Sequence, residues 1–222
     1  MFMTDKGSAL IVGVGPGLGV AVARAFAEAG HPVALIGRTD TKLKELAAQL
    51  HAEGHTAQAY QADAADPARL RSVLDAAVAE LGAPEVLVYN AALARPDTPT
   101  GVSPEDWTAG LAVNVVGATV AASHVIPALR GGRGTVLFTG GGFALAPSPV
   151  YATLSVGKAA LRAYAQALHE DQRDAGVHVT TVTIGGFINA GDDRFDPAAI
   201  ARVYVELHQH PQDQWQAEHL YA

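Results

Sequence analysis

Two hydrophobic periods alternate along the chain. Short apolar runs rich in β-branched residues predict buried strands at Ala9–Gly13, Val33–Gly37, Thr56–Gln61, Glu85–Tyr89, Thr135–Thr139 and Val177–Thr183, with a seventh at His219–Tyr221. Between them lie longer Ala- and Leu-rich segments whose apolar positions recur every three or four residues. These predict helices over Gly17–Ala29, Lys42–Glu53, Pro67–Leu81, Pro104–Leu129, Tyr151–Ala175 and Pro197–His208. Asp66-Pro67, Ser103-Pro104 and Asp196-Pro197 each set a capping side chain before a proline suited to the first helical turn. Such alternation builds repeated βαβ units, so the expected fold class is α/β. Residues 1–222 should form a single Rossmann-type, doubly wound domain, with about seven parallel strands and helices on both faces. Ligands of these sheets bind outside the carboxyl ends of the strands. The Gly/Pro-rich connections Arg95–Gly101 and Gly131–Gly134 both lie beside predicted strand ends, placed to line such a site.

Composition narrows the function classes. With 222 residues, 49% of them hydrophobic, the chain has enough apolar material for one well-buried domain. A net charge of −7 with no Lys/Arg run argues against a nucleic-acid partner. The absence of cysteine excludes disulfides, thiolate zinc sites and a cysteine nucleophile. The start MFMTDKGSALIVG lacks the pattern of a signal peptide, so a cytoplasmic location is expected. Two charge-free stretches, Trp107–Leu129 and Gly134–Gly157, are long enough to span a membrane. The first contains Asn114, Ser123, His124 and Pro127, and the second is broken by Gly140-Gly141-Gly142, Pro147 and Pro149. Both read as buried elements of a parallel-sheet protein, with no membrane partner.

The strongest chemical signal is Gly13-Val14-Gly15-Pro16-Gly17-Leu18-Gly19, between the first strand and the first helix. Glycines permit a tight turn and close backbone approach to a pyrophosphate, and the helix N-terminus favours the anion. At the end of the second strand, Ile36-Gly37-Arg38-Thr39 offers a guanidinium where an acid would bind the ribose 2′-hydroxyl of NAD. Arg38 therefore predicts NADP(H) over NAD(H), although Asp40 stands two residues on.

With the spacing Gly13-x-x-x-Gly17-x-Gly19 come Asp63 after the third strand and Asn90-Ala91-Ala92 after the fourth. Asn114-Val115-Val116-Gly117 follows in the next long helix and Lys158-Ala159-Ala160-Leu161 in the one after. Together these motifs resemble the short-chain dehydrogenase/reductase family over nearly the whole chain, with Ala92 where that family usually ends its motif in glycine. The resemblance implies a cofactor-binding set of Gly13, Gly15, Pro16, Gly17, Leu18, Gly19, Arg38, Asp63, Ala64, Asn90, Ala91 and Lys158. In the family, Asp63's counterpart contacts adenine, and the lysine binds the nicotinamide ribose.

The same resemblance implies hydride transfer to or from a small carbonyl or alcohol. The family uses a tyrosine as proton donor, a lysine that lowers its pKa, a serine and an asparagine. Anchoring on Lys158 puts Leu154 where the tyrosine belongs and Gly141 where the serine belongs. Asn114 and Lys158 remain, and Tyr151, two helical turns before Lys158, is the one substitute of the right chemistry. The catalytic candidates are thus Asn114, Lys158 and Tyr151. Ser155 and Thr139 lack a strong base to activate them. The expected function is an NADP(H)-dependent oxidoreductase with a non-standard site. The alternative is a non-catalytic NADP(H)-binding protein with a redox-sensing or interaction role.

Three further expectations complete the reading. His208-Gln209-His210 and His219 form the densest histidine group, but the spacing is poor and no carboxylate accompanies them, so no metal site is expected. His124 and His169 read as core-edge residues. After Ile184-Gly185-Gly186-Phe187-Ile188 only a short connection precedes Asp196, which leaves a brief substrate loop near 185–196. Phe143, Phe187 and Trp215 are candidates to wall an apolar pocket there. By analogy with the family, the two long helices should pair copies into a homodimer or homotetramer.

Overall fold

The computed structural model describes residues 6–129 and 134–222. Seven strands form one sheet: β1 (Ser8–Val12), β2 (Val33–Gly37), β3 (Ala57–Gln61), β4 (Pro84–Tyr89), β5 (Gly134–Gly141), β6 (Val177–Ile184) and β7 (Glu218–Tyr221). Their order is β3-β2-β1-β4-β5-β6-β7, and every neighbouring pair is parallel. Around them lie α1 (Leu18–Glu28), α2 (Asp40–Ala52), α3 (Pro67–Leu81), α4 (Pro104–Leu111), α5 (Gly117–Leu129), α6 (Ala152–Gln172) and α7 (Pro197–Gln209).

Alternation along the central strands produces two cores. Ala9 and Ile11 of β1 pack with Phe26, Leu43, Leu50 and Tyr204 from α1, α2 and α7. Leu10 and Val12 face Leu70, Leu74, Val125 and Leu161 from α3, α5 and α6. The expected caps form as well. Asp66 accepts from Ala68 N and Arg69 N at 3.0 Å each, Ser103 from Asp106 N at 3.1 Å, and Asp196 from Ala198 N at 2.8 Å. Strand order reverses between β1 and β4, which opens a crevice at their carboxyl ends where Gly13 and Asn90 emerge.

The structure departs from the sequence reading in three places. The expected helix Pro104–Leu129 is divided by a π-helical turn, Ala112–Val116. Here the Tyr89 hydroxyl donates to Val113 O at 2.5 Å, and Gly117 lies so near Ala64 O that a Cβ would come within 2.4 Å of it. Hydrophobic periodicity does not register such contacts. The apolar part of this segment is half buried, and α5 gives Ala118, Val125, Ile126 and Leu129 to the core. Second, Tyr151 is the N-cap of α6 and not its first turn, because its φ of −143° and ψ of 54° are non-helical. Third, the stretch Gly131–Arg133 lies outside the described residues. Gly134 opens β5 at the end of the sheet opposite the crevice, so of the two predicted site loops only Arg95–Gly101 is on the crevice side.

Candidate functional site

The glycine turn divides its residues between packing and access. Gly13 has φ +95°, and a Cβ there would meet Ala91 N at 2.2 Å; a Cβ on Gly19 would meet Gly13 O at 2.5 Å. These two let β1, α1 and the end of β4 approach one another. At Gly15 and Gly17 a Cβ would meet nothing within 4 Å. Gly17 is the N-cap of α1, with no side chain bonded across it. Two open glycines at an uncapped helix N-terminus offer backbone N–H groups to an anion such as a pyrophosphate. Leu18 contributes only backbone, since its side chain is buried in the core.

A cleft of about 260 Å³ brings together Gly13, Gly15, Arg38, Asp63, Ala64, Asn90 and Ala91. Pro16 lines an adjoining hollow together with Arg38 and Lys42. Asp63 is fixed by Ala65 N, which donates to Oδ1 at 2.9 Å. Asn90 works as a bracket: its Nδ2 donates to Gly13 O at 2.8 Å and its Oδ1 accepts from Thr139 Oγ1 at 2.9 Å. The Tyr204 hydroxyl, fully buried, donates in turn to Thr139 Oγ1 at 2.8 Å. Lys158 joins the same network, with Nζ donating to Thr139 O at 2.7 Å. Burial disfavours its charged form and pushes the ammonium pKa down to about 8.

Sequence reasoning identified the members of this network that touch the cleft but missed the residues that hold them. Thr139 stands out in the sequence only as a hydroxyl near Gly141, and no motif marks Tyr204. Asp97 was also unmarked, yet its carboxylate accepts from Thr153 N at 3.1 Å and from the Thr153 hydroxyl, which caps α6 from the loop after β4.

The catalytic candidates are held in different ways. Asn114 is buried and turned to the same loop: it accepts from Leu93 N at 2.7 Å and donates to Leu93 O at 3.2 Å. Leu154 stands half-buried one turn before Lys158, and a Cβ on Gly141 would meet only Lys158 Cγ, at 3.9 Å. The Tyr151 ring stacks on Phe143 with centroids 5.5 Å apart, and Phe187 meets Phe143 edge-on at 6.4 Å. Ser155 is committed locally, donating to Tyr151 O at 2.7 Å and accepting from Ser148 N at 3.0 Å.

A second cleft, about 290 Å³, lies between the end of β5 and the loop after β6, lined by Gly140, Gly141, Gly142, Phe143, Ile184 and Phe187 among others. Phe143 and Phe187 are therefore pocket walls. Trp215 is not, because it stacks on His178 at 5.1 Å and its Nε1 donates to His210 O at 3.0 Å. His124 pairs with Asp75 at 2.7 Å, and buried His169 engages Val179 O at 2.8 Å. Asp40, the acid that complicated the cofactor reading, is tied to Lys44 at 2.7 Å within α2.

Residues 8–192 match the family model for short chain dehydrogenase. An uncharacterized oxidoreductase of Mycobacterium tuberculosis is 32% identical over 166 residues, which is 74% of this chain and 63% of that protein; the match thus spans less than two-thirds of the relative's length. Among solved structures, a short chain dehydrogenase from Burkholderia cenocepacia in complex with NADP superposes with a TM-score of 0.87 at 26% identity, covering 96% of this chain and 95% of that one. An NADPH-bound short chain oxidoreductase from Pseudomonas aeruginosa, described as containing an atypical catalytic center, has the same fold, with a TM-score of 0.89 at 20% identity over 98% of this chain and 95% of that one. The matched length, the parallel sheet with its reversal at β1 and β4, and the glycine turn agree: the chain belongs to the short-chain dehydrogenase/reductase family.

Proposed function

We propose that the protein is an NADP(H)-dependent oxidoreductase acting on a small, neutral carbonyl or alcohol through a site that lacks the family's usual tyrosine and serine. The observation that carries this reading is the cleft in which Gly13 and the open Gly15 of the turn meet Arg38 and Asp63. Gly15 and Gly17 would receive the pyrophosphate, Asp63 the adenine end and Lys158 the nicotinamide ribose. Arg38 and Lys42, which share the adjoining hollow, would hold the 2′-phosphate. When bound, the cofactor supplies hydride to a carbonyl carbon. The protein itself must then move a proton to or from the substrate oxygen, which leucine cannot do. Two groups of this chain can: the Tyr151 hydroxyl, and Lys158, whose pKa of about 8 lets it exchange a proton near working pH. Asn114 acts by fixing the loop at Leu93 beside the cofactor cleft.

The second cleft supports the choice of substrate. Its walls are glycines, Phe143, Ile184 and Phe187, with no charged side chain among them. A flat, apolar carbonyl compound suits it better than a phosphorylated or carboxylated one. NADPH oxidation should be assayed against aromatic and alicyclic ketones. Turnover that persists in Tyr151→Phe would remove Tyr151 from the proton path, and a kcat lost in Lys158→Ala at saturating NADPH would then assign the proton to the lysine.

The missing hydroxyls favour a second reading, a binding protein without turnover. Gly141 has room for a side chain, so Gly141→Ser with Leu154→Tyr can rebuild the usual pair. Turnover by that variant where the parent is silent would support the non-catalytic reading. Turnover by the parent would exclude it. For assembly, we propose pairing through the α4–α5 and α6 faces, where Val116 and Val156 are 46% and 47% exposed. Light scattering at micromolar concentration should then give at least twice the chain mass.

A further inference from the structure

At the end of the sheet opposite the cofactor cleft, three residues far apart in sequence meet. His31 precedes β2, Glu85 lies at the start of β4, and His208 is in the last turn of α7. Each presents a possible ligand atom, and these atoms lie within 4.8 Å of one another. Glu85 Oε2 is 3.7 Å from His31 Nδ1 and 3.9 Å from His208 Nε2. These gaps exceed a hydrogen bond. They are close to the separation of about 3.3 Å that ligands adopt around a tetrahedral ion with metal–ligand bonds near 2.0–2.1 Å. The imidazoles are shielded, with side chains only 2% and 7% exposed, while Glu85 at 28% leaves a path for an ion.

The surroundings of His208 are those of a ligating histidine. His31 Nδ1 lies 2.8 Å from Gly7 O, and His208 Nδ1 lies 2.8 Å from Thr135 Oγ1. A metal-bound imidazole uses one nitrogen as ligand and donates from the other to a carbonyl or hydroxyl. For His208 this leaves Nε2, 3.9 Å from Glu85, for the ion, whereas His31 faces Glu85 with Nδ1 itself, which would exchange Gly7 O for the ion. Phe26 packs edge-on against both rings at 5.6 and 6.1 Å, giving the site an apolar wall.

We propose that His31, Glu85 and His208 form a binding site for one zinc-class divalent cation, which clamps the end of α7 to the segment before β2 and to the start of β4. Two imidazoles and one carboxylate suit such a borderline ion and not magnesium or calcium, which take oxygen ligands. The sequence hid this site because the carboxylate that His208 lacks nearby comes from β4, across the sheet.

The test uses the whole protein after dialysis against a chelator. Titration with zinc chloride by calorimetry should give one ion per chain, and saturating zinc should raise Tm by on the order of 5 °C at a hundredfold excess over Kd. Cobalt(II) in place of zinc should develop visible absorption of tetrahedral intensity. Glu85→Gln and His208→Gln should each weaken binding at least tenfold and leave NADPH binding unchanged. If the parent shows neither stoichiometric binding nor the cobalt bands, the site is refuted. It is equally refuted if both variants bind like the parent, since the ion then sits on other histidines. The cobalt spectrum decides the matter on the parent alone should a variant fail to fold.

Discussion

Lys158 shows most directly how one side chain couples stability to function. Its ammonium is buried, and its pKa falls from 10.5 to about 8. The unfolded chain therefore holds the proton more tightly, and stability declines as pH falls from 10.5 towards 8, with the full penalty present below 8. At about 1.4 kcal/mol per unit that penalty is on the order of 3 kcal/mol. The bond to Thr139 O returns roughly 1.5–3 kcal/mol. Lys158→Met should then melt slightly above the parent, by about 2–4 °C, while losing at least tenfold in NADPH affinity. Calorimetry and fluorescence titration check the two halves; lower stability with unchanged affinity would show a purely structural lysine. Arg38 lies at the opposite extreme, exposed at the rim of the cleft. Arg38→Asp should reverse the preference from NADPH to NADH by at least tenfold, a difference of about 1.4 kcal/mol or more, as read by parallel titrations of the two cofactors.

Among the elements, legibility in the sequence followed periodicity. All seven strands and the caps at Asp66, Ser103 and Asp196 could be read directly, because period, β-branching and capping chemistry are local properties. The glycine turn was legible for the same reason. The π turn at Ala112–Val116 was not, since it depends on Tyr89 and Ala64 from other elements. Nor was the orientation of Asn114, whose partner Leu93 is set by the fold. That pairing carries a prediction: Asn114→Ala leaves the part-buried Leu93 N–H and C=O without their side-chain partner, a loss of about 1–2 kcal/mol. Urea denaturation should show it as a lower midpoint with unchanged slope. NADPH binding should weaken too, because Leu93 borders the cofactor cleft.

Across the whole molecule, acid should act on the end of the sheet remote from the cofactor. His178 of β6 is buried and stacked on Trp215, with Nδ1 3.1 Å from Leu207 O and Nε2 3.4 Å from Gln216 O. It ties α7 and the segment before β7 to the sheet. A neutral ring donates to only one of those carbonyls. The protonated ring would serve both, but burial outweighs that gain and pushes the pKa down to about 4 from 6.5. Burial lowers the His31 pKa as well. A lowered histidine pKa means that the unfolded chain takes up protons first, so stability is intact above pH 6.5 and lost as pH falls towards 4. For His178 the loss is on the order of 3 kcal/mol, and His31 adds in the same direction. Denaturation midpoints measured between pH 7 and 4 should fall accordingly, and Trp215 emission should change with them as the stack opens. His178→Leu should flatten most of that dependence; an unchanged acid profile in this variant would place the sensitive group elsewhere.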